Sequence, residues 1–305
     1  MIKNINFKNI TWINVFNPSA EDLKYLIKNF KIHPIIMNEL TRPTLRPKVE
    51  SYGDHLYMVL HFPIFSSETR TTLSREIDFV FTKNTLITVH YEKIAPFEEL
   101  LSQCESDEEF RGRHMRENSA FLLHKIITTL FEFSLRELDH IRQNVDDVEK
   151  KIFESKKHYN TIEEIAFIRR DILNFWRTIK PEGLALESLA ERGILFFGDD
   201  LKPYFSDLTG SYLRVLNLLE NQKEAIEVLY DTHESVLTTK TNEVMKMFTI
   251  LAFITFPLSL LVDILGIPSE NNPIYGKAYD FWLILGAVVV IMGVMLYIFK
   301  KKEWL

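Results

Sequence analysis

Carboxylates recur along one face of a predicted helix in the last third of the 305-residue chain. On an ideal helix, with 100° per residue, four of them lie within about 40° of a fifth. Such oxygen atoms attract cations, although a solvated charged face would show the same spacing. The pattern by itself therefore leaves cation binding and a plain surface open. We call this set the acidic stripe: Glu220, Glu224, Glu227, Asp231 and Glu234.

The same face continues into uncharged sequence and reaches one further carboxylate. A carboxylate within an apolar membrane helix costs about 2.5–3.5 kcal/mol on insertion scales, so Asp263 should face water or protein. The chain has two apolar segments near its C-terminus, at about residues 247–267 and 281–299. Two such segments cannot enclose a water-filled pore, but those of several copies around an axis can. We therefore predict a central pore with an apolar constriction at Met245 and Phe256, flanked by Phe248. The predicted pore face is Asn242, Met245, Phe248, Thr249, Ala252, Phe256, Ser259 and Asp263.

Long elements are needed to position these residues. Between Pro203 and Pro257 the only glycine is Gly210, which predicts one helix from about residue 202 to 265. Residues 281–299 are uncharged, and 19 residues span about 28 Å, the thickness of a bilayer core. We predict a stalk helix (202–246), a pore-lining membrane helix (247–267), an external loop (268–279), a second membrane helix (280–299) and a basic tail (300–305).

Lysines flank both apolar segments on one side. Lys240 and Lys246 precede the first, and residues 300–302 follow the second, whereas the loop carries one lysine. The positive-inside rule then predicts two membrane passes in the inner (plasma) membrane with both termini in the cytoplasm. The N-terminal residues have no apolar signal-peptide core, so we expect the first 240 residues to stay inside.

The remaining sequence predicts an α+β cytoplasmic part. Four β-branched and aromatic runs indicate strands within an α/β domain over residues 1–115, at residues 10–16, 56–65, 76–81 and 86–91. Ser19 is the expected cap of a short helix, with Asp22 three residues on. Residues 116–201 predict long, charged helices lying side by side.

Composition excludes several classes of protein. A net charge of −6 removes the charge argument for a nucleic-acid binder. Cys104 is the single cysteine, so no disulfide framework exists, and its acidic neighbours should raise its pKa. No glycine-rich phosphate loop or Gly-x-Ser-x-Gly motif is present, so we expect neither an enzyme nor an organic cofactor.

At this point the chain resembles a known family, the CorA-type divalent metal ion transporters, which include the ZntB branch. The resemblance lies in residues 241–246 (TNEVMK), 257–259 (PLS) and 300–305 (KKKEWL), with further segments at 46–50 and 203–207. It implies a homopentamer with a funnel of long helices and a pore lined by the first membrane helix. It also implies that Asp231 and Glu224 occupy acidic funnel positions. Asp207, with Glu68 as a weaker match, would form an inter-subunit Mg²⁺ sensing site.

One departure from the family concerns its signature, Tyr-Gly-Met-Asn, at the outer end of the first membrane helix. Here the signature reads Leu265, Gly266, Ile267 and Pro268, and the last three occupy the selectivity-filter position. The asparagine is replaced by proline, which has no side-chain oxygen and no N–H. Our hypothesis is that Asp263, one turn inside, supplies a ring of carboxylates instead.

These observations predict divalent cation transport, most simply passive Mg²⁺ uptake with Co²⁺ or Ni²⁺ also carried. Mg²⁺ would then be both the transported and the regulatory ion. Two alternatives stay open. One is ZntB-like Zn²⁺ transport, with proton coupling through Asp263 as a variant. The other is a membrane-tethered metal sensor or scaffold without a conducting pore.

Overall fold

The computed structural model describes residues 2–66, 69, 71–154, 159–267, 276 and 278–302. These residues form two compact units, one up to Tyr230 and one from Asp231 onward. The first unit contains a single mixed sheet with helices on both faces. The second contains the two apolar helical segments.

The sheet has six strands in the order β1-β2-β6-β5-β4-β3. The neighbouring strands β2 and β6 are parallel, and every other pairing is antiparallel. The four predicted strands are confirmed as β2, β4, β5 and β6, whereas β1 and β3 carried no sequence signal that we recognised. The strand bounds are β1 Ile2–Phe7, β2 Ile10–Phe16, β3 Lys48–Tyr52, β4 His55–Ser66, β5 Thr71–Phe81 and β6 Thr85–His90.

Helices cover both faces of this sheet, which explains why β4 is buried over its first nine residues. One face forms a core that includes Val59 and Leu26, the latter from α1 (Ala20–Phe30). On the other face, Phe62 meets Phe131 edge to face at 5.7 Å. The predicted cap of α1 is confirmed, because Ser19 and Asp22 form a reciprocal capping box.

The long helices follow the predicted order. The predicted stalk and first membrane segment are one helix, α8, which continues through Pro257. A short 3₁₀ turn at Asp199–Leu201 precedes it. The α-helices after α1 are α2 Pro34–Glu39, α3 Ala95–Ser106, α4 Glu108–His114, α5 Ser119–Glu154, α6 Tyr159–Ile179, α7 Glu182–Phe197, α8 Lys202–Gly266 and α9 Asp280–Lys301.

Close packing against two glycines of α7 positions the start of α8 within the first unit. A Cβ atom on Gly193 of α7 would stand 2.6 Å from the ring of Phe205, and one on Gly183 2.7 Å from the hydroxyl of Tyr212. The Tyr212 hydroxyl also donates to the carbonyl of Lys180 at 3.2 Å. At these two points the backbone of α7 therefore packs directly against aromatic rings of α8, and a residue with a Cβ atom would force the rings to move.

Candidate ion-conduction and metal-binding sites

The acidic stripe lies on an exposed face of α8. All five of its carboxylate residues are exposed in the single chain. Within the first unit, the opposite side of α8 is a buried seam that alternates in steps of three and four residues. The seam consists of Val215, Leu219, Gln222, Ile226 and Leu229. A helix with one buried side therefore presents its carboxylates to solvent, where they are free to attract cations.

Contacts between cationic side chains and aromatic rings join α6 to α8 along the same part of α8 that carries the stripe. The Nζ atom of Lys223 lies 5.4 Å from the ring centre of Trp176, and Arg169 lies 5.8 Å from that of Tyr230. Cation–π contacts of this kind are worth about 0.5–1 kcal/mol at exposed sites. Lys223 and Arg169 therefore contact aromatic rings in this structure.

The predicted pore face in the second unit is exposed apart from Ala252, which is half-buried. Phe256 is 74% exposed, but Leu251 and Leu260 on other sides of the helix are 63% and 60% exposed. In α9 no residue is buried. Both helices are long and apolar enough to cross a membrane. Lipid or further copies of the chain must therefore cover all sides of these helices.

Ser259 and Asp263 lie together beside α9. They line an open groove of about 410 Å³ that also includes Thr255 and Met292. The hydroxyl of Thr249 donates to the carbonyl of Met245 on the same helix, at 2.8 Å. Because the groove is open and Asp263 is exposed, its carboxylate is accessible from outside the chain.

Two predicted positions fall where the structure gives no description. Of the filter position, Gly266 ends α8 and Ile267 follows it, both exposed, while Pro268 lies outside the described residues. Glu68, the weaker half of the predicted sensing pair, also lies outside them.

Asp207, the other half of the predicted sensing pair, has a partner within its own chain. Its Oδ2 atom is 2.9 Å from Nε2 of His124 on α5. The side chains are 52% and 20% exposed, respectively. Among the described residues, no three His, Cys, Asp or Glu side chains are grouped as a metal centre. A metal bound here would therefore need water molecules or residues of another chain to complete its ligand set.

Sequence reasoning missed a buried polar junction between the sheet and α7. The N–H of His61 donates to Oε1 of Glu182 at 2.8 Å, beyond the point where β3 stops pairing with β4. The imidazole Nε2 atom is 3.3 Å from Glu76 and 3.0 Å from the carbonyl of Thr44. The Nδ1 atom is 3.6 Å from Glu182 Oε1, which is ion-pair distance and too long for a hydrogen bond.

Burial and charge shift the pKa values of this junction in opposite ways. Burial lowers the pKa of His61, but its two carboxylate neighbours outweigh that effect and raise it to about 10. Burial raises the pKa of Glu182 to about 7, although His61 opposes the shift. At neutral pH the imidazole of His61 is therefore cationic, and Glu182, which is then partly protonated, ties α7 to the edge of the sheet through the His61 N–H.

Cys104 is fully buried, and burial raises its pKa to about 12. The direction agrees with the sequence prediction, but the physical cause is loss of solvation rather than acidic neighbours. Arg111 in fact lowers the pKa of this thiol slightly. A buried thiol with so high a pKa is not a nucleophile.

A mixed α/β unit whose last helix continues into an apolar span, followed by a second apolar helix, defines a membrane protein with two C-terminal passes. The family described as "CorA-like Mg2+ transporter protein" matches residues 7–301. The cobalt/magnesium transport protein CorA of Thermotoga maritima is 26% identical over 97% of this chain and 83% of its own. The zinc transport protein ZntB of Pectobacterium carotovorum is 18% identical over 99% and 90%.

A solved structure shares the whole fold. It is described as the complete structure of the CorA magnesium transporter from Methanocaldococcus jannaschii. The TM-score is 0.83 at 21% identity, with 99% of this chain and 94% of that chain covered. The chain belongs to the CorA-like family, and it is a divalent cation transporter rather than an enzyme.

Proposed function

We propose that the chain assembles as a homopentamer in the inner membrane, with both termini in the cytoplasm, and conducts Mg²⁺ passively. Co²⁺ and Ni²⁺ would also pass, through a pore lined by residues 247–267. The observation that carries the proposal is the membership of residues 7–301 in a family described by Mg²⁺ transport. Relatives named for cobalt and magnesium transport support the choice of ions.

The charge pattern of α8 supports a cation path. Exposed carboxylates of the acidic stripe would concentrate cations at the cytoplasmic end, and Asp263 would do so near the outer end. Between them, Met245 and Phe256 would form an apolar constriction that gates by dewetting. The membrane potential supplies about 2.3 kcal/mol per elementary charge at 100 mV, and twice that for a divalent ion. Uptake therefore needs no additional energy source.

Asp263 is the proposed substitute for the lost asparagine. It is exposed, and it lies one turn before the filter position that begins at Gly266. A ring of carboxylates would hold cations by charge, so it should discriminate less by hydration geometry than a ring of amide and carbonyl oxygens. We therefore expect Mg²⁺, Co²⁺ and Ni²⁺ to be carried at comparable rates.

Flux measurements in proteoliposomes test which ions are transported and whether Asp263 acts as the filter. Mg²⁺, Co²⁺, Ni²⁺ and Zn²⁺ uptake should be compared side by side for the wild type, Asp263→Ala and the charge-preserving Asp263→Glu. We expect uptake of the first three to fall about tenfold or more in Asp263→Ala, equivalent to about 1.4 kcal/mol. Asp263→Glu should retain most of it. Wild-type rates in Asp263→Ala would show that this residue is not the filter.

Zinc transport is the second candidate, because a relative named for zinc transport covers nearly the whole chain. A proton-coupled carrier needs a titrating group in its path, and Asp263 could provide it. Zn²⁺ uptake that depends on an imposed pH gradient, and that becomes independent of it in Asp263→Ala, would favour this candidate over the channel. An assembled oligomer that carries no cation at all would instead favour a metal sensor or scaffold.

A further inference from the structure

A groove between α6 and α8, within the first unit, is lined by three arginines. Its volume is about 320 Å³, at the lower end of the range for small-molecule sites. Arg169, Arg170 and Arg177 come from α6, and Tyr230 comes from α8. The three arginines are exposed, and apolar residues of α6 line much of the remaining wall. The groove therefore combines concentrated positive charge with a size that suits a small ligand.

The charge of these arginines is not neutralised by carboxylates. In the part of the chain that the structure describes, none of the three has a carboxylate within ion-pair distance, whereas three other arginines do: Arg75, Arg113 and Arg142. Arg169 and Arg170 instead lie 5.8 and 5.1 Å from the ring centres of Tyr230 and Phe167. A ring covers one face of a guanidinium and leaves the N–H donors in its plane available to an anion.

The carboxylate nearest to these arginines along α6 is turned to another side of the helix. Asp171 follows Arg170 directly, but it accepts a hydrogen bond from the backbone N–H of Thr72 on β5. On an ideal helix Asp171 lies about 100° from Arg170, whereas Arg177 lies within about 20° of it. Arg170 and Arg177 therefore stand in line, about 10 Å apart along the helix, while Asp171 fastens α6 to the sheet.

The wall that α8 contributes is also distinct from the acidic stripe. On an ideal helix Tyr230 lies about 80° from Glu220, on which the stripe is centred. Lys223 lies about 20° from Tyr230, and its Nζ atom is 5.4 Å from the centre of the Trp176 ring on α6. A cation of α8 thus faces the same side as the arginines of α6, and an anion in the groove would meet positive charge from both helices.

We propose that this groove binds a soluble di- or triphosphate anion. Guanidinium groups bind phosphate oxygens through paired hydrogen bonds, and they do so with higher specificity than lysine. Two arginines about 10 Å apart along one helix suit a chain of linked phosphates, because a single phosphate group would engage them less completely. The volume of about 320 Å³ favours a small soluble ligand over a lipid with two acyl chains.

Such a ligand would join α6 to the helix that continues into the first apolar segment. Tyr230 belongs to α8, which runs unbroken from Lys202 to Gly266. Phosphate oxygens are ligands of Mg²⁺, so the metal-free anion carries more negative charge than its Mg²⁺ complex and should bind the arginines more tightly. The groove would thereby respond to polyphosphate that is not saturated with Mg²⁺. This regulatory role rests on the proposed function, whereas binding of the anion does not.

Isothermal titration calorimetry of the full-length protein in detergent, without divalent cations, tests the site with tripolyphosphate as the probe. Arg170→Gln with Arg177→Gln removes two arginines of the groove, and Arg113→Gln with Arg142→Gln removes the same charge from two exposed arginines elsewhere. We expect the groove variant to bind tripolyphosphate about tenfold or more weakly than the wild type, and the control variant to stay within about twofold. Orthophosphate should bind the wild type about tenfold or more weakly than tripolyphosphate.

Two further measurements locate the anion and its contacts. Tripolyphosphate should slow hydrogen–deuterium exchange in peptides within residues 162–177 of the wild type and the control variant, but not of the groove variant. Arg170→Lys keeps the charge and loses the paired hydrogen bonds, so it should weaken binding severalfold.

Equal affinities of the groove and control variants would overturn the proposal, because net charge would then explain the binding. Protection of residues 162–177 by phosphatidylglycerol vesicles, with none by tripolyphosphate, would overturn it in favour of a lipid. These measurements involve no transport, so a failure of the proposed function leaves their outcome intact.

Discussion

His61 shows how a single residue couples charge to the architecture of the first unit. It stands on β4 opposite Glu76 of β5, and its backbone N–H is accepted by Glu182 at the start of α7. Beyond the end of β3, the described residues include no strand on that side to accept this N–H, and the Glu182 carboxylate accepts it instead. Removing a partner from such a buried pair typically costs about 3–5 kcal/mol, because the remaining charge is left without compensation.

The protonation of His61 predicts a loss of stability at alkaline pH. Its pKa of about 10 lies above the ordinary value of 6.5, so the stabilisation is fully present below about pH 6.5 and is lost as the pH rises through 10. The raised pKa of Glu182 acts in the same direction, between about 4.5 and 7. We expect the melting temperature of the full chain in detergent to fall between pH 7 and 10.

Two variants test this expectation. His61→Gln removes the imidazole, and His140→Gln makes the same change at an exposed histidine of α5 as a control. His61→Gln should melt lower at pH 7 and show a flatter dependence between pH 7 and 10, because it has no imidazolium to lose. His140→Gln should follow the wild type throughout. Equal slopes in the wild type and His61→Gln would contradict a charged imidazole at this position.

At the scale of elements, the contact between α7 and α8 depends on Gly193. An added Cβ atom would stand 2.6 Å from the ring of Phe205, which is itself 2% exposed and cannot move away easily. We expect Gly193→Ala to destabilise the first unit by about 1–3 kcal/mol through overpacking. Thermal unfolding followed by circular dichroism measures the effect.

Gly210 provides the control for the same chemical change. It lies within α8, and an added Cβ atom would have no neighbour within 4 Å. Gly210→Ala should stabilise the helix by about 0.5–1 kcal/mol. The two substitutions therefore predict opposite shifts in melting temperature, and shifts of the same sign would show that the approach of Phe205 does not limit residue 193.

Local pattern was sufficient to predict the elements whose signal is contained in their own sequence. The absence of proline and glycine predicted a helix over about 202–265, and α8 spans Lys202–Gly266. The two missed strands, β1 and β3, are the two edges of the sheet, where polar residues such as those of KVESY are tolerated. Edge strands lack the continuous apolar run that marks the central ones.

Long-range pairs were beyond the reach of such patterns. The acidic stripe follows from periodicity along one helix, because its residues are three or four positions apart. In contrast, His61 and Glu182 are 121 residues apart, and His124 and Asp207 are 83 apart. Only packing of α5, α7 and α8 brings these groups together, and no spacing in the sequence encodes that packing.

At the scale of the whole molecule, the acidic stripe should act as an electrostatic funnel. We expect the double substitution Glu224→Gln with Asp231→Asn to slow cation flux in proteoliposomes severalfold at low salt. The difference from wild type should shrink near 0.15 M salt, where the Debye length is about 8 Å and exposed charges are screened.

The control removes the same amount of charge elsewhere. Asp146→Asn with Glu149→Gln on α5 changes two exposed carboxylates that do not belong to the acidic stripe. This pair should transport like the wild type at both salt concentrations. If the two double variants slow transport equally, net charge rather than the position of the stripe determines the rate.

A pore depends on assembly of several chains. In a single chain in the membrane, lipid would surround the apolar side chains and the Asp263 carboxylate alike, although only the apolar side chains suit it. Exposed carboxylates and exposed apolar side chains share α8, and several copies around an axis would satisfy both, with water inside and lipid outside. We expect native mass spectrometry of the protein released from detergent to give about five times the 35.9 kDa of one chain. Asp263→Ala should assemble equally well, because it removes a charge and introduces none. A wild-type protein that remains a single copy under these conditions, while retaining its helical circular dichroism, would rule out a pore built from copies of α8.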